Sequence, residues 1–224
     1  MEARVIAYAS RTGTRRNLKA LRQAGWRLMV SARGVLRTEG FPYALDNGAW
    51  TAFQRNEEFD VPAFERAVKL LGAGADWIVL PDIVMGGLAS LEMSLGWLRK
   101  LRKLRRRVAL RSARFVIAVQ NGMEAPAVVR RISRWLSDRV GIFVGGDTEW
   151  KLATMAMWAR LARGKGAICH VGRVNTVNRI CKCEAAGVDS FDGSSASRFA
   201  VNIPKLELAR QQTDIEGYLA RQAA

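Results

Sequence analysis

Eight short apolar runs recur along the chain, at 5–10, 27–32, 43–48, 77–82, 115–122, 141–146, 167–174 and 189–195, and most are continuous rather than alternating in polarity. A strand with one wet face alternates polar and apolar side chains. A run without alternation has no wet face, which is the condition of strands covered on both sides in a parallel sheet. Helical patterns fill the gaps at 16–23, 61–71, 88–105, 125–138, 150–163 and 177–186, and 203–220 reads as a closing helix. Pro62 and Pro204 fall in first turns, where the missing N–H breaks no helical bond. The stretch between Ala32 and Tyr43 is too short for a full helix. Eight strands interleaved with helices predict a (β/α)8 TIM barrel, an α/β fold. An open doubly wound sheet is the other architecture of this kind, but no Gly-rich dinucleotide or Walker-type loop follows any run. The chain's 224 residues can bury a substantial core. No repeat or linker divides them, so residues 1–224 read as one compact domain.

In such a barrel, function collects at the C-terminal ends of the strands. Here those ends share a chemistry. The third run ends at Asp46-Asn47-Gly48, the fourth is preceded by Asp76 and ends at Asp82, and the fifth closes on Gln120-Asn121-Gly122. The sixth closes on Gly145-Gly146-Asp147, the seventh on Gly172-Arg173, and the eighth on Asp192, followed by a Gly/Ser run and Arg198. Asp46 and Asp192 form a candidate carboxylate pair. Breaking a glycosidic bond takes one group to attack or stabilise the anomeric carbon and one to manage protons. Asp82 and Gln120 suit the edge of a planar heterocycle, because a carboxylate accepts from ring N–H and amino groups and an amide does both. Gly145 and Gly146 can bring bare backbone N–H groups to a ring carbonyl. Trp50 offers a stacking face or packs in the core. Arg173 and Arg198 are phosphate candidates, since both follow strand ends where barrels bind phosphate. Taken singly, Asp46 also fits an Asx-turn and Asp82 a turn or helix cap. The lone His170 reads as a packed or hydrogen-bonded residue rather than a catalyst.

Lys and Arg number 36 against 20 Asp and Glu, a formal net charge of +16. That field favours a polyanionic partner, nucleic acid ahead of an anionic membrane surface. The basic segment 99–107 is either a phosphate contact or a solvated helix face with Leu98, Leu101 and Leu104 turned inward. Its place late in the helix after the fourth strand points to the barrel's N-terminal side, away from the mouth. Arg130, Arg131 and Arg134 carry the same ambiguity. No apolar stretch reaches the ~18 residues of a membrane span, so no membrane partner is expected. The N-terminus shows no secretion signal pattern, and the three cysteines (Cys169, Cys181, Cys183) fit a reduced, cytoplasmic setting. Cys181 and Cys183 with His170 have poor spacing for zinc, and neither a metal nor a cofactor is expected.

The order and spacing of these motifs resemble the tRNA-guanine transglycosylase superfamily, most closely its DNA deazaguanine transglycosylases of phages and bacteria. The family's Asp-Ser-Gly-Gly-aromatic motif is similar to Asp46-Asn47-Gly48-Ala49-Trp50, and its aspartate acts in proton transfer or supports catalysis. Its Asp-Ile-Val-Met-x-x-Asp is similar to Asp76-Trp77-Ile78-Val79-Leu80-Pro81-Asp82, where the second aspartate binds the base. Its Val-Gln-Gly-Gly is similar to Val119-Gln120-Asn121-Gly122, with a base-reading glutamine, and its Gly-Gly-Leu to Gly145-Gly146-Asp147. Its Asp-Met-Phe-Asp followed by arginine is similar to Asp189-Ser190-Phe191-Asp192 with Arg198, and there the second aspartate is the nucleophile. The resemblance spans about residues 43–198 in one consistent order.

The resemblance implies a pentosyltransferase that replaces guanine in DNA with a 7-deazaguanine base of the preQ0 type through a covalent aspartyl-glycosyl intermediate. The tRNA enzymes carry a Cys-rich zinc subdomain after the barrel, whereas the 26 residues after Arg198 contain no Cys or His. A barrel without that subdomain, acting on DNA, is therefore expected, with tRNA as the alternative polymer. Asn47, Ala49 and Asn121 depart from the family motifs. A homodimer or a helper protein is compatible with the chain, and a phage-encoded copy would work in the host cytoplasm. Two further readings stay open: a nucleoside hydrolase using the same carboxylates with water, and a non-catalytic basic barrel that binds nucleic acid or a partner protein.

Overall fold

The eight apolar runs become eight parallel strands that close on themselves in chain order. The computed structural model describes residues 5–104, 110 and 113–211. The strands are β1 (Ile6–Ser10), β2 (Arg27–Ser31), β3 (Tyr43–Asp46), β4 (Ile78–Val79), β5 (Phe115–Val119), β6 (Val140–Val144), β7 (Cys169–Val171) and β8 (Ser190–Gly193). Closure comes from β8 pairing with β1, Ile6 opposite Ser190 and Ala9 opposite Gly193. The chain is a (β/α)8 barrel. Around it run α1 (Arg15–Gln23), α2 (Ala49–Gln54), α3 (Val61–Leu71), α4 (Gly87–Leu104), α5 (Pro126–Ser133), α6 (Thr148–Arg163), α7 (Val177–Ala186), α8 (Ser195–Arg198) and α9 (Ile203–Gln211).

The lack of alternation has its cause in two cores. Inside the barrel, Tyr8, Met29, Ala44, Trp77, Val79 and Val116 pack together. The intervening positions, such as Ala7, Ala9, Leu28 and Val30, face outward against Leu21, Phe64, Leu91 and Trp158 of the surrounding layer. Truncating a fully buried leucine such as Leu28 to alanine costs about 2–5 kcal/mol.

Apart from β1, the strands end one to three residues earlier than the apolar runs do. The polar and glycine residues at their C-terminal ends turn into loops, and Gly48, Gly122 and Gly146 take φ values of 84°, 85° and 70°. Helix α2 is not apparent from periodicity, being only six residues long. Helix α5 stops at Ser133, short of the expected Asp138, because Ser137 bridges back to Val140 at the start of β6. The expected closing helix is present as α9, and its continuation toward Ala220 lies outside the described residues. Arg210 on α9 binds Glu207 and donates to the carbonyls of Val5 and Ala24, which ties this helix to the start of the barrel.

Caps fix the helix starts. Asp60 accepts from Ala63 N at 2.9 Å, Asp147 from Trp150 N at 2.9 Å, and Thr176 from Arg179 N at 3.4 Å. Helix α4 starts at the mouth and ends at the opposite side of the barrel. Its Arg99 and Arg102 lie over the Trp135 ring, and Lys100 pairs with Glu65 at 2.6 Å. Leu98 and Leu101 are buried, as a solvated helix face requires. Arg105, Arg106 and Arg107 lie outside the described residues. Among the described residues no helix is long and apolar enough to cross a membrane.

Candidate active site

The loops after the strands surround a cavity of about 500 Å³. Asp46, Trp50, Asp82, Gln120, Gly145 and Gly146 line it, and so do Arg173, Asp192 and Arg198. Every residue singled out by the sequence for this site reaches the same space, because parallel closure carries all eight C-terminal strand ends to one face. The volume is that of an ordinary small-molecule site, with room for a nucleobase and the sugar attached to it.

Asp46 closes β3. Its Oδ2 accepts the Gly48 N–H at 3.2 Å, so it forms the Asx-turn and lines the cavity together. The turn needs glycine at 48: a Cβ there would sit 2.7 Å from Arg33 Cγ. Burial pushes the Asp46 carboxyl from 3.8 up to about 6, with the charge of Asp192 adding to the rise. Burial likewise pushes Asp82 up to about 6, against the opposing hydrogen bond from Asn47. Asn47 has no assigned role in the sequence reading. It is buried, donates to Leu80 O and Asp82 Oδ1 at 2.7 Å each, and accepts from Ala49 N at 2.8 Å. One side chain thus fixes the β3 turn against the end of β4.

Gln120 donates Nε2 to Ile83 O at 2.9 Å, which leaves its Oε1 and second N–H for a ligand. The glycine pair requires a correction. Gly145 N–H is not bare, because the sheet consumes it in a 2.8 Å bond to Val119 O. Gly146 N–H has no acceptor among the described residues and is the donor that remains. A Cβ at Gly146 would lie 2.6 Å from Asn121 Oδ1 and 2.7 Å from Trp150 Cε3. Asn121 in turn bonds Asp147 and fastens the β5 and β6 loops together.

Asp192 sits on β8 with its Oδ1 accepting from His170 Nε2 at 3.0 Å and from Arg173 N at 3.3 Å. Its Oδ2 accepts nothing among the described residues. His170 is fully buried between Tyr8, Trp77 and Phe143, and its Nδ1 lies 2.8 Å from Ser190 Oγ. Burial holds its pKa below the ordinary histidine value, despite Asp192. A carboxylate can only accept, so the Nε2 of the neutral ring carries the proton and Nδ1 accepts the Ser190 hydroxyl. His170 is packed and hydrogen-bonded, as its sequence suggests, but its partner is the central carboxylate.

Lys151 is a second residue whose role the sequence reading does not anticipate. It lies on the buried stripe of α6 with Met155, Trp158 and Ala162, and donates Nζ to Gly172 O at 2.5 Å. Burial lowers it to about 8, the Arg173 charge adding and Asp192 opposing. A lysine on an apolar stripe is the sequence signal that could have found it.

Arg173 takes a φ of 59°, donates to Gly146 O and lies 4.2 Å over the Trp50 ring. Trp50 is therefore not a core residue, and one face of it carries the guanidinium. Arg198 is exposed at the rim and forms no ion pair among the described residues.

Asp76 stands apart from this site. It pairs with Arg27 at 2.8 Å and accepts from Tyr8 Oη at 2.8 Å, before β4 and at the other end of the barrel. The described residues hold no group of three His, Cys, Asp or Glu side chains placed to bind a metal. Chemically, the cavity joins two carboxyls raised toward neutrality with a third fixed by N–H donors, an arrangement that separates acid, base and nucleophile roles. No protein-family model matches the chain, and no curated protein matches its sequence.

Proposed function

We propose that the protein is a base-exchange transglycosylase that replaces guanine in DNA with a 7-deazaguanine base. The observation that carries this reading is the convergence of Asp46, Asp82, Gln120, Gly146 and Asp192 on one cavity. Asp82 as carboxylate accepts from the ring N–H and exocyclic amino group of guanine. Gly146 N–H donates to the ring carbonyl, and Gln120 supplies its free amide groups. The opposite wall presents Asp192 to the sugar.

In the first half-reaction, Asp192 Oδ2 attacks C1′. The C1′–N9 bond breaks with its electron pair moving to the base, and the proton held on Asp46 passes to the departing guanine. Raised to about 6, Asp46 exchanges protons readily near neutral pH. In the second half-reaction, the incoming base gives its N9 proton to Asp46, its N9 attacks C1′, and Asp192 is released. His170 and the Arg173 N–H hold Oδ1 and so aim Oδ2. The net charge of +16 supports a polyanionic substrate.

The test is labelled-guanine exchange into DNA and into unmodified tRNA, run beside Asp192→Asn. Label entering DNA with wild type and not with the variant supports the proposal. Label entering tRNA alone overturns the polymer, guanine release without replacement points to a hydrolase, and binding without either reaction points to a non-catalytic barrel.

A further inference from the structure

The rim of the cavity is divided by chemistry. Arg173 and Arg198 stand after β7 and β8. The segments after β3 and β4 expose large apolar side chains instead: Trp50, whose ring carries Arg173, and Phe53, then Ile83, Met85 and Leu88. The last three lie within six residues, and Met85 is 81% exposed. Among the described residues no hydrophobic side chain of either core packs with it.

The turn that carries Met85 is firmly built. Gly86 N–H closes it by bonding Ile83 O at 2.9 Å, and Ile83 N–H donates to Ser90 Oγ at 3.1 Å. A Cβ on Gly86 would lie 2.7 Å from Ile83 Cβ, so the turn has no slack there. Met85 takes a φ of 60°, which side-chain-bearing residues adopt at some strain. The turn is also wired to the cavity. Val84 lines it, and Ile83 O holds the amide of Gln120.

We infer that the Ile83–Met85–Leu88 turn is an apolar wedge that enters the base stack of double-stranded DNA beside the flipped nucleotide. The inference rests on the base-exchange reading and deepens it by making the duplex the substrate. A base inside a duplex has to leave its stack to reach a cavity of this kind, and apolar side chains inserted at a base step hold the gap open. Charge complementarity selects the occupant. The arginines after β7 and β8 meet the backbone of the nucleotide whose C1′ reaches Asp192, and the wedge meets uncharged base faces across the mouth.

The test separates wedge from catalysis. Met85→Gly removes the side chain and relieves the positive φ, so its melting temperature should equal or exceed that of wild type. Met85→Leu keeps an apolar probe. Each is assayed for labelled-guanine exchange into the same mixed-sequence DNA before and after heat denaturation, and for the fluorescence rise of a 2-aminopurine-containing duplex on binding. Met85→Gly should lose at least tenfold in exchange into native DNA, less than twofold in denatured DNA, and most of the fluorescence rise, while Met85→Leu retains all three. Equal exchange by Met85→Gly in both DNAs, or an unchanged fluorescence rise, overturns the wedge and leaves the exchange reading standing. A Met85-dependent rise without exchange by wild type keeps the wedge and overturns the exchange reading. Neither rise nor exchange overturns both, as does self-association of wild type that Met85→Gly abolishes with no effect on DNA.

Discussion

Replacing Asp46 by asparagine should stabilise the fold while abolishing exchange, and the gain should depend on pH. Folding raises the Asp46 carboxyl from 3.8 to about 6, so between those values the native state holds more protons than the unfolded chain. Stability from this group is therefore fully present below the unfolded value, falls as pH rises from about 4 to about 6, and stays low above. A shift of about two units corresponds to about 3 kcal/mol at pH 8. Asp46 keeps partial contact with the cavity, whose water screens the charge, so a net gain of about 1–2 kcal/mol is the reasonable expectation. Asparagine preserves the acceptor for Gly48 N–H and removes the charge that also raises Asp82. For a chain of this size the gain corresponds to a melting temperature higher by roughly 2–8 °C at pH 8. At pH 3, where the carboxyl is protonated in both the native and the unfolded chain, the two proteins should melt within about 1 °C of each other by the same linkage. Thermal melts at the two pH values decide it. A variant that melts lower at pH 8, or is equally stabilised at both pH values, would refute the reasoning about a desolvated carboxyl.

Four further outcomes follow from the same geometry. Guanine binding, measured by equilibrium titration, should weaken by up to about tenfold per pH unit below 6 as Asp82 gains its proton and ceases to accept from the base. Asp82→Asn should bind weakly at every pH. His170→Phe keeps the packing against Tyr8, Trp77 and Phe143 but leaves Asp192 unaimed; kcat should fall by about 10²-fold with DNA affinity unchanged, which single-turnover and binding assays separate. Gly172→Ala places a Cβ 2.6 Å from the Phe143 ring and 3.4 Å from Asp192 Oδ1, so it should lower exchange more than DNA binding, as those same assays will show.

The barrel was legible because its strands are covered on both faces, and that condition writes itself as unbroken apolar runs. Strand ends were less legible. Gly48, Gly122 and Gly146, the last residues of their runs, sit in left-handed loop conformations two or three residues beyond the strand ends. The grouping of the candidate residues was legible because closure of a parallel barrel forces all the strand ends to one face, so Asp46, Asp82, Gln120 and Asp192 needed no contact prediction to be placed around one cavity. What stayed hidden depends on tertiary partners. Nothing local marks His170 as the residue behind Asp192, since its role comes from two neighbouring strands in register, His170 opposite Ser190. Asn47 gains its role only when β3 and β4 are placed side by side. The Gly145 N–H was misread as bare because the sheet bond that consumes it comes from β5.

The most direct test of covalent exchange at Asp192 is to trap the intermediate. The protein is incubated with guanine-containing DNA without an incoming base, denatured, digested and mapped by mass spectrometry. A deoxyribosyl adduct on Asp192, released on adding excess guanine or 7-deazaguanine before denaturation and absent from Asp192→Asn, is the predicted result. Exchange that proceeds in Asp192→Asn, or an adduct on any other residue, contradicts the account.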